Sequence, residues 1–212
     1  MPRLPGRDRF RSAVLKYVEL PGAHLFHRLG LTPNMITLMG FGICAAAAVL
    51  VGAGYIWVGG IVFLAGGILD LFDGALARLT DQATPFGALL DSVMDRLGEA
   101  VLFLGIAIYV LREDFSEDRT LLAIVAVVLA LITSQMVSYL RARGESLGID
   151  TRAGLMTRPE RVVLLSAGLM AGIASLRPLE VILAVIAAIS FITLLQRLFH
   201  VRSRVDNVAD PL

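Results

Sequence analysis

DLFDGALARLTDQATPFGALLDSVMD, from Asp70 to Asp95, sets four carboxylates into some of the most apolar sequence of the chain. Asp70 and Asp73 are three residues apart and Asp91 and Asp95 four apart, with eighteen positions from Asp73 to Asp91. Side chains at spacings of three and four share one helix face. The flanks on both sides are long and apolar, so the stretch reads as two helix ends joined by a short turn near 79–86. An antiparallel pair built this way brings both acidic faces to similar depth. By the rise per residue, Asp73 then lies on the order of 10 Å inside the end of its helix.

Acids inside membrane helices are rare and mark function. Four carboxylates brought together do not all stay ionised without a cation. Hard oxygen ligands suit Mg2+, Mn2+ or Ca2+, and one or two such ions would also hold a phosphate-bearing substrate. Gly66, Asp70, Asp73 and Ala77 form one stripe, Gly74 follows Asp70 by a turn, and Gly87 precedes Asp91 by a turn. Small residues there let a helix or a flat ligand approach the backbone closely. Arg78, at the end of its helix, is placed to snorkel or to grip a phosphate. Asp81 reads as a solvated turn residue.

The rest of the chain agrees with a membrane setting. Of 212 residues, 57% are hydrophobic and 17% charged, with a mean hydropathy of +0.77. A soluble domain is less apolar and more charged than this, and no stretch is left over for a separate soluble core. A net charge of +1 gives no sign of a nucleic-acid partner. Cys44 is the single cysteine, which excludes a disulfide framework or a cysteine zinc site within one chain; it reads as a small buried hydrophobe.

A spanning helix needs roughly 20 apolar residues. Six segments qualify, near 34–53, 56–79, 86–111, 120–141, 161–176 and 179–198, the fifth being short and glycine-containing. Thr32 and Pro33 supply a cap and a first position for the first helix. The expected fold is therefore all-α and integral to the membrane, with six transmembrane helices. An N-terminal amphipathic juxtamembrane helix precedes them, because Phe10, Val14, Tyr17 and Val18 recur at helical spacing beside basic residues. Lys16, Glu19 and Pro21 interrupt any signal-like apolar run. The organisation expected is an interfacial segment over 1–31, a membrane domain over 32–200 and a tail over 201–212. Arginines gather before the first helix, between the fourth and fifth, and after the sixth. By the positive-inside rule both termini, the 79–86 turn and the 141–161 loop face the cytoplasm, which places the chain as a multi-pass protein of the plasma membrane.

Written as a pattern, the opening stretch is D-x2-D-G-x2-A-R-x8-G-x3-D-x3-D, and in this form it resembles the signature of the CDP-alcohol phosphotransferase family at all eight positions. The resemblance implies a transferase reaction. An acceptor hydroxyl attacks a CDP-linked lipid such as CDP-diacylglycerol, a phosphodiester forms and CMP leaves. It also implies that Asp70, Asp73 and Asp91 hold Mg2+ or Mn2+, that Asp95 acts as general base with a share in metal binding, and that Gly74, Ala77, Arg78 and Gly87 line the CDP-lipid site. A homodimer is expected on the same ground. The acidic side chains suit that chemistry: a metal offsets charge building on the leaving group, and a nearby carboxylate takes the hydroxyl proton.

The acceptor is read from SYLRARGESLGIDTRAGLMTRPER, Ser138 to Arg161, with five arginines against three acids. Arginine makes bidentate contacts to phosphate, so a phosphorylated polyol is expected. This segment is similar to the bacterial phosphatidylinositol-phosphate synthase group, with its S-Y-x-K-A-R-A-E and R-P-E-R patterns. The resemblance implies that Arg141, Arg161 and Arg197 hold the phosphate of inositol 1-phosphate. Arg141 departs from the group's usual lysine and Thr157 from its usual glutamate. Glycerol 3-phosphate is the alternative acceptor, as for a phosphatidylglycerophosphate synthase. In a different class, the acids could form a pathway in a divalent-cation transporter, but they cluster at one side and no internal repeat accompanies them.

Overall fold

The structure, a computed structural model, describes residues 19–149, 154–172 and 177–209. Among these residues it is wholly helical: α1 (Leu20–Arg28), α2 (Pro33–Gly52), α3 (Ile56–Leu79), α4 (Pro85–Arg112), α5 (Glu117–Ser146), α6 (Arg158–Ala171) and α7 (Arg177–Ala209). Local chemistry starts several of these helices. Thr32 Oγ1 accepts from the Met35 N–H at 3.4 Å with Pro33 in the first turn. The same Thr-Pro device opens α4, where Thr84 Oγ1 accepts from the Gly87 N–H at 3.0 Å. Thr157 and Glu160 form a capping box at the start of α6, with Pro159 in its first turn.

The helix bounds depart from the sequence expectation in two places. The fourth span continues past residue 141, so Arg141, Arg143 and Glu145 sit on the last turns of α5 rather than in a loop. The sixth continues to Ala209, carrying helix into the segment expected as a tail. The amphipathic helix anticipated around Phe10–Val18, and Arg152 of the basic loop, lie outside the described residues.

Among the described residues, four helices are long and apolar enough to cross a membrane: α2, α3, α5 and, within α7, Leu179–Arg204. The other two expected spans differ for identifiable reasons. Helix α4 is 28 residues long but carries Asp91, Asp95, Arg96 and, at its middle, Glu99. Helix α6 has 14 residues, fewer than a bilayer requires at 1.5 Å per residue. Exposed Val49, Leu111 and Leu122 line the outside of the bundle, the arrangement expected where lipid rather than water is the solvent. The chain is an α-helical, multi-pass membrane protein.

Helix α2 is the packing centre. It lies against both α3 and α4, while α5 packs on α7, α6 on α3 and α7, and α1 on α3. The two acid-bearing helices α3 and α4, although joined by a short turn, are not packed along each other. This corrects the simple antiparallel pair expected from the turn. Small residues allow α2 to sit between them. A Cβ on Gly105 of α4 would stand 2.4 Å from the Ala48 carbonyl oxygen of α2, and one on Gly59 of α3 would stand 3.0 Å from that of Ala47. Cys44 of α2 fills the remaining space: added Cβ atoms would come 3.0 Å from its Sγ at Gly66 and 3.2 Å from its Cβ at Gly98. It is buried and unpaired as a thiol, as its apolar context implied.

Backbone contact at Gly105 leaves no room for a methyl group. Gly105→Ala is expected to lower the thermal midpoint of the detergent-solubilised protein by the equivalent of about 1–3 kcal/mol. Gly42→Ala, where an added Cβ meets nothing within 4 Å, should leave it unchanged or slightly raised. Equal midpoints for the two variants would contradict the close α2–α4 approach.

Candidate active site

The sequence places acids on two helices; the fold turns them toward one point. One carboxylate oxygen from each of Asp70, Asp91 and Asp95 lies within 4.8 Å of the others. Asp73 stands beside this group, with its own oxygens engaged elsewhere. Its Oδ2 accepts from Thr37 Oγ1 at 2.7 Å, its Oδ1 accepts from the Gly74 N–H, and the side chain is buried. Thr37 ties Asp73 to α2 and was not visible as a site residue from sequence.

Asp91 Oδ1 is buried and has no hydrogen-bond partner. A buried acceptor left without a donor is costly. Three converging carboxylates and an orphaned oxygen together fit a hard divalent cation.

A second unanticipated residue answers part of the charge. Arg158, in the first turn of α6, donates from Nη1 to Asp70 Oδ2 and from Nη2 to Asp95 Oδ1, the latter at 2.7 Å. One turn further along α6, Arg161 Nε donates to Glu99 Oε1 at 2.6 Å and its Nη2 to Glu99 Oε2 at 2.9 Å. That second pair is almost fully enclosed, at 1% and 3% exposure. Asp95 and Glu99 are one turn apart on α4, as Arg158 and Arg161 are on α6. Two rungs of opposite charge therefore cross from α6 to α4. The sequence signals were present: Glu99 is a fifth acid in an apolar helix, and T-R-P-E is a capping box that starts a helix at Arg158.

Beside the carboxylates opens a cavity of about 220 Å3. Asp91, Asp95 and Glu99 line it from α4, Ser138 and Arg141 from α5, Arg158 and Arg161 from α6, and Arg197 from α7. The three arginines expected at an acceptor phosphate thus meet in one place, although they come from three helices. Their partners differ. Arg141 Nε lies 3.0 Å from Glu145 Oε1 on the same helix. Arg161 holds Glu99 and also reaches Ser138 Oγ at 3.4 Å. Arg197 is buried and donates from Nη1 to the Val137 carbonyl oxygen at 2.6 Å.

The residues expected at a nucleotide are placed outside this cavity, along α3 and the start of α4. Arg78 is exposed and pairs with Glu19 at 3.3 Å. A Cβ on Gly74 would come 3.4 Å from Arg78 Nη1, so glycine clears the path of that side chain. Gly87 sits where a Cβ would approach Thr84 Oγ1 and Asn34 Oδ1 at 3.1 and 3.2 Å. Ala77 lies half-buried on the same helix.

Residues 30–206 match the sequence pattern of the CDP-alcohol phosphatidyltransferases. The archaetidylinositol phosphate synthase of Methanothermobacter thermautotrophicus is 34% identical over 199 residues, which cover 93% of this chain and 94% of that protein. The phosphatidylinositol phosphate synthase of Mycolicibacterium smegmatis is 38% identical over 214 residues, covering 95% of this chain and 90% of that protein. Two crystal structures of the Mycobacterium tuberculosis phosphatidylinositol phosphate synthase each align with a TM-score of 0.78 over 87% of this chain. One has CDP-DAG bound, at 31% identity and 93% of that chain; the other is a complex with manganese and citrate, at 32% identity and 88% of that chain.

The Arg161–Glu99 pair generates a stability test. Removing one partner strands a buried charge, so Glu99→Ala is expected to cost about 3–5 kcal/mol. Replacing both, as Glu99→Leu with Arg161→Met, should recover most of that loss in the unfolding midpoint while removing activity. A double variant no more stable than the single one would show that the pair is not coupled.

Proposed function

Because this chain belongs to the CDP-alcohol phosphatidyltransferase family and is therefore a transferase, we propose that it moves a phosphatidyl group from CDP-diacylglycerol to a phosphorylated polyol. The preferred acceptor is inositol 1-phosphate, with phosphatidylinositol phosphate and CMP as products. The observation that carries this reading is the shared wall. Carboxylates within 4.8 Å of one another border a cavity whose other side presents Arg141, Arg161 and Arg197. The pairing suits a reaction that joins a pyrophosphate donor to a phosphate-bearing acceptor. Free inositol would bring no phosphate to that wall.

Asp70, Asp73, Asp91 and Asp95 are the residues that would hold Mg2+ or Mn2+. Bound there, the ion supplies Lewis-acid charge to the donor pyrophosphate as CMP leaves. Asp95 lines the acceptor cavity and is positioned to take the proton of the attacking hydroxyl. The acceptor oxygen then bonds to the lipid-side phosphorus as the P–O bond to CMP breaks. Arg141, Arg161 and Arg197 orient the acceptor through its phosphate, by charge-assisted hydrogen bonds. Gly74, Ala77, Arg78 and Gly87 line the path of the CDP-lipid.

Six helices, α2 to α7, form the membrane domain in this reading, with the 14 residues of α6 packed on α3 and α7 rather than spanning the full bilayer by themselves. Basic residues at Arg28, Arg141, Arg143, Arg158, Arg161, Arg202 and Arg204 support a site and both termini on the cytoplasmic side, in what we take to be the plasma membrane. The donor's acyl chains then stay in the bilayer while its head group enters from the membrane surface. Carried over from the resemblance, the working unit is a homodimer.

Purified protein with Mn2+, CDP-diacylglycerol and inositol 1-phosphate is expected to release CMP, and EDTA should stop the release. Glycerol 3-phosphate and free inositol complete the acceptor panel. No CMP with any acceptor, from folded protein, would overturn the reading; greater release with glycerol 3-phosphate would move the acceptor. Asp95→Asn should lower kcat on the order of 10²–10⁴-fold while CDP-lipid binding persists. Arg197→Gln should raise the acceptor KM about tenfold or more and leave the donor KM near its original value. An equal effect on both would remove Arg197 from the acceptor pocket.

A further inference from the structure

Arg158 is the cation nearest to the carboxylate cluster, and the proposed reaction gives it no task. Its guanidinium bridges Asp70 of α3 and Asp95 of α4, two of the three acids whose oxygens converge. The carboxylates it bridges belong to the set that would hold a divalent ion. Its Nε is buried with no hydrogen-bond partner, as is Asp91 Oδ1 on the other side of the cluster. A settled structural ion pair satisfies its donors, and this one leaves a buried donor and a buried acceptor unmet. The side chain also lines the cavity that holds Arg141, Arg161 and Arg197. It stands at the seam between the cluster and the anion-facing wall, anchored at the capped start of α6.

We propose that Arg158 is a tethered counter-cation of the aspartate cluster, which a divalent metal displaces toward the neighbouring cavity, so that metal loading and acceptor-anion binding are thermodynamically linked. The inference rests on the metal-binding part of the proposed function. Without a metal, the guanidinium answers the repulsion among the acids and keeps α3, α4 and α6 together. With a metal on the same carboxylates, two cations would compete for one set of acids, and the arginine withdraws. The space it already lines carries Arg96, Arg141, Arg161 and Arg197 against Asp91, Asp95, Glu99 and Glu145. With Asp91 and Asp95 engaged by a metal, the withdrawn guanidinium adds to an excess of positive charge that an entering oxyanion offsets. Anion binding there favours the withdrawn arginine and hence the metal-bound cluster. By linkage, the metal raises anion affinity by the same factor. The acceptor then binds well only to an enzyme that already carries its metal.

The test needs no turnover. Mn2+ is titrated into the full chain in detergent, with free Mn2+ followed by its electron paramagnetic resonance signal, with and without inorganic phosphate as the anion probe. For the original protein, phosphate is expected to tighten Mn2+ binding several-fold. Arg158→Gln removes the competing cation, so Mn2+ alone should bind on the order of tenfold tighter, and the tightening by phosphate should shrink. Arg158→Lys keeps the charge but loses the two-pronged bridge, and should give an intermediate Mn2+ affinity; it also serves if the glutamine variant does not fold. Mn2+ affinity unchanged or weakened in the variants overturns the competition. An unchanged phosphate effect overturns the link to the acceptor cavity. If the original protein binds no Mn2+, this inference and the metal part of the proposed function fall together. If it binds Mn2+ equally in all three proteins, only the role of Arg158 falls.

Discussion

Repulsion among half-buried carboxylates is the constraint around which this bundle is arranged. With oxygens of Asp70, Asp91 and Asp95 within 4.8 Å, each ionised pair is unfavourable by on the order of 3 kcal/mol at an effective dielectric of ~20. No apolar contact relieves that; only opposite charge or protonation does. The nearest opposite charge comes from the first turn of α6, through Arg158. The same helix answers a fifth acid, Glu99, with Arg161. A helix of 14 residues thus holds α3 and α4 in register by charge, although it packs directly on only α3 and α7.

Keeping those charges open to a ligand requires that α3 and α4 not close on each other, and α2 provides the spacing. It packs on both helices through contacts that tolerate no side chain at Gly105 and little at Gly59, Gly66 or Gly98. The small residues that looked like a place for a flat ligand are, at the core, places for another helix. Nearer the helix ends, Gly74 and Gly87 keep their freedom of approach, since what a Cβ meets there is the end of a side chain rather than backbone.

The division between donor and acceptor follows from this spacing. Helices α3 and α4 present the family signature; α5, α6 and α7 present the arginines. Asp95 belongs to both halves, since it joins the acidic cluster and lines the basic cavity. A group in that position touches whatever enters from either side. This is why its proposed role as base does not require a separate histidine or lysine.

Much was legible in the sequence because it depended on near neighbours. Thr32-Pro33 opens a helix through a bond spanning three residues. The three-and-four spacing of the acids puts each pair on one face whatever surrounds it. Apolar runs of sufficient length set the helices, and the signature Asp70–Asp95 carried the family. Hydropathy became ambiguous at α4, because the residues that make the site also lower the apolar score of the helix bearing it. Only the tertiary structure decided which charges meet. Arg158 finds Asp70 across 88 positions and Arg161 finds Glu99 across 62, while Asp73 meets Thr37 across 36. Spacing along one helix settles which face a side chain is on. It carries no information about which helix stands opposite, because packing around α2, rather than the turn between α3 and α4, sets that geometry.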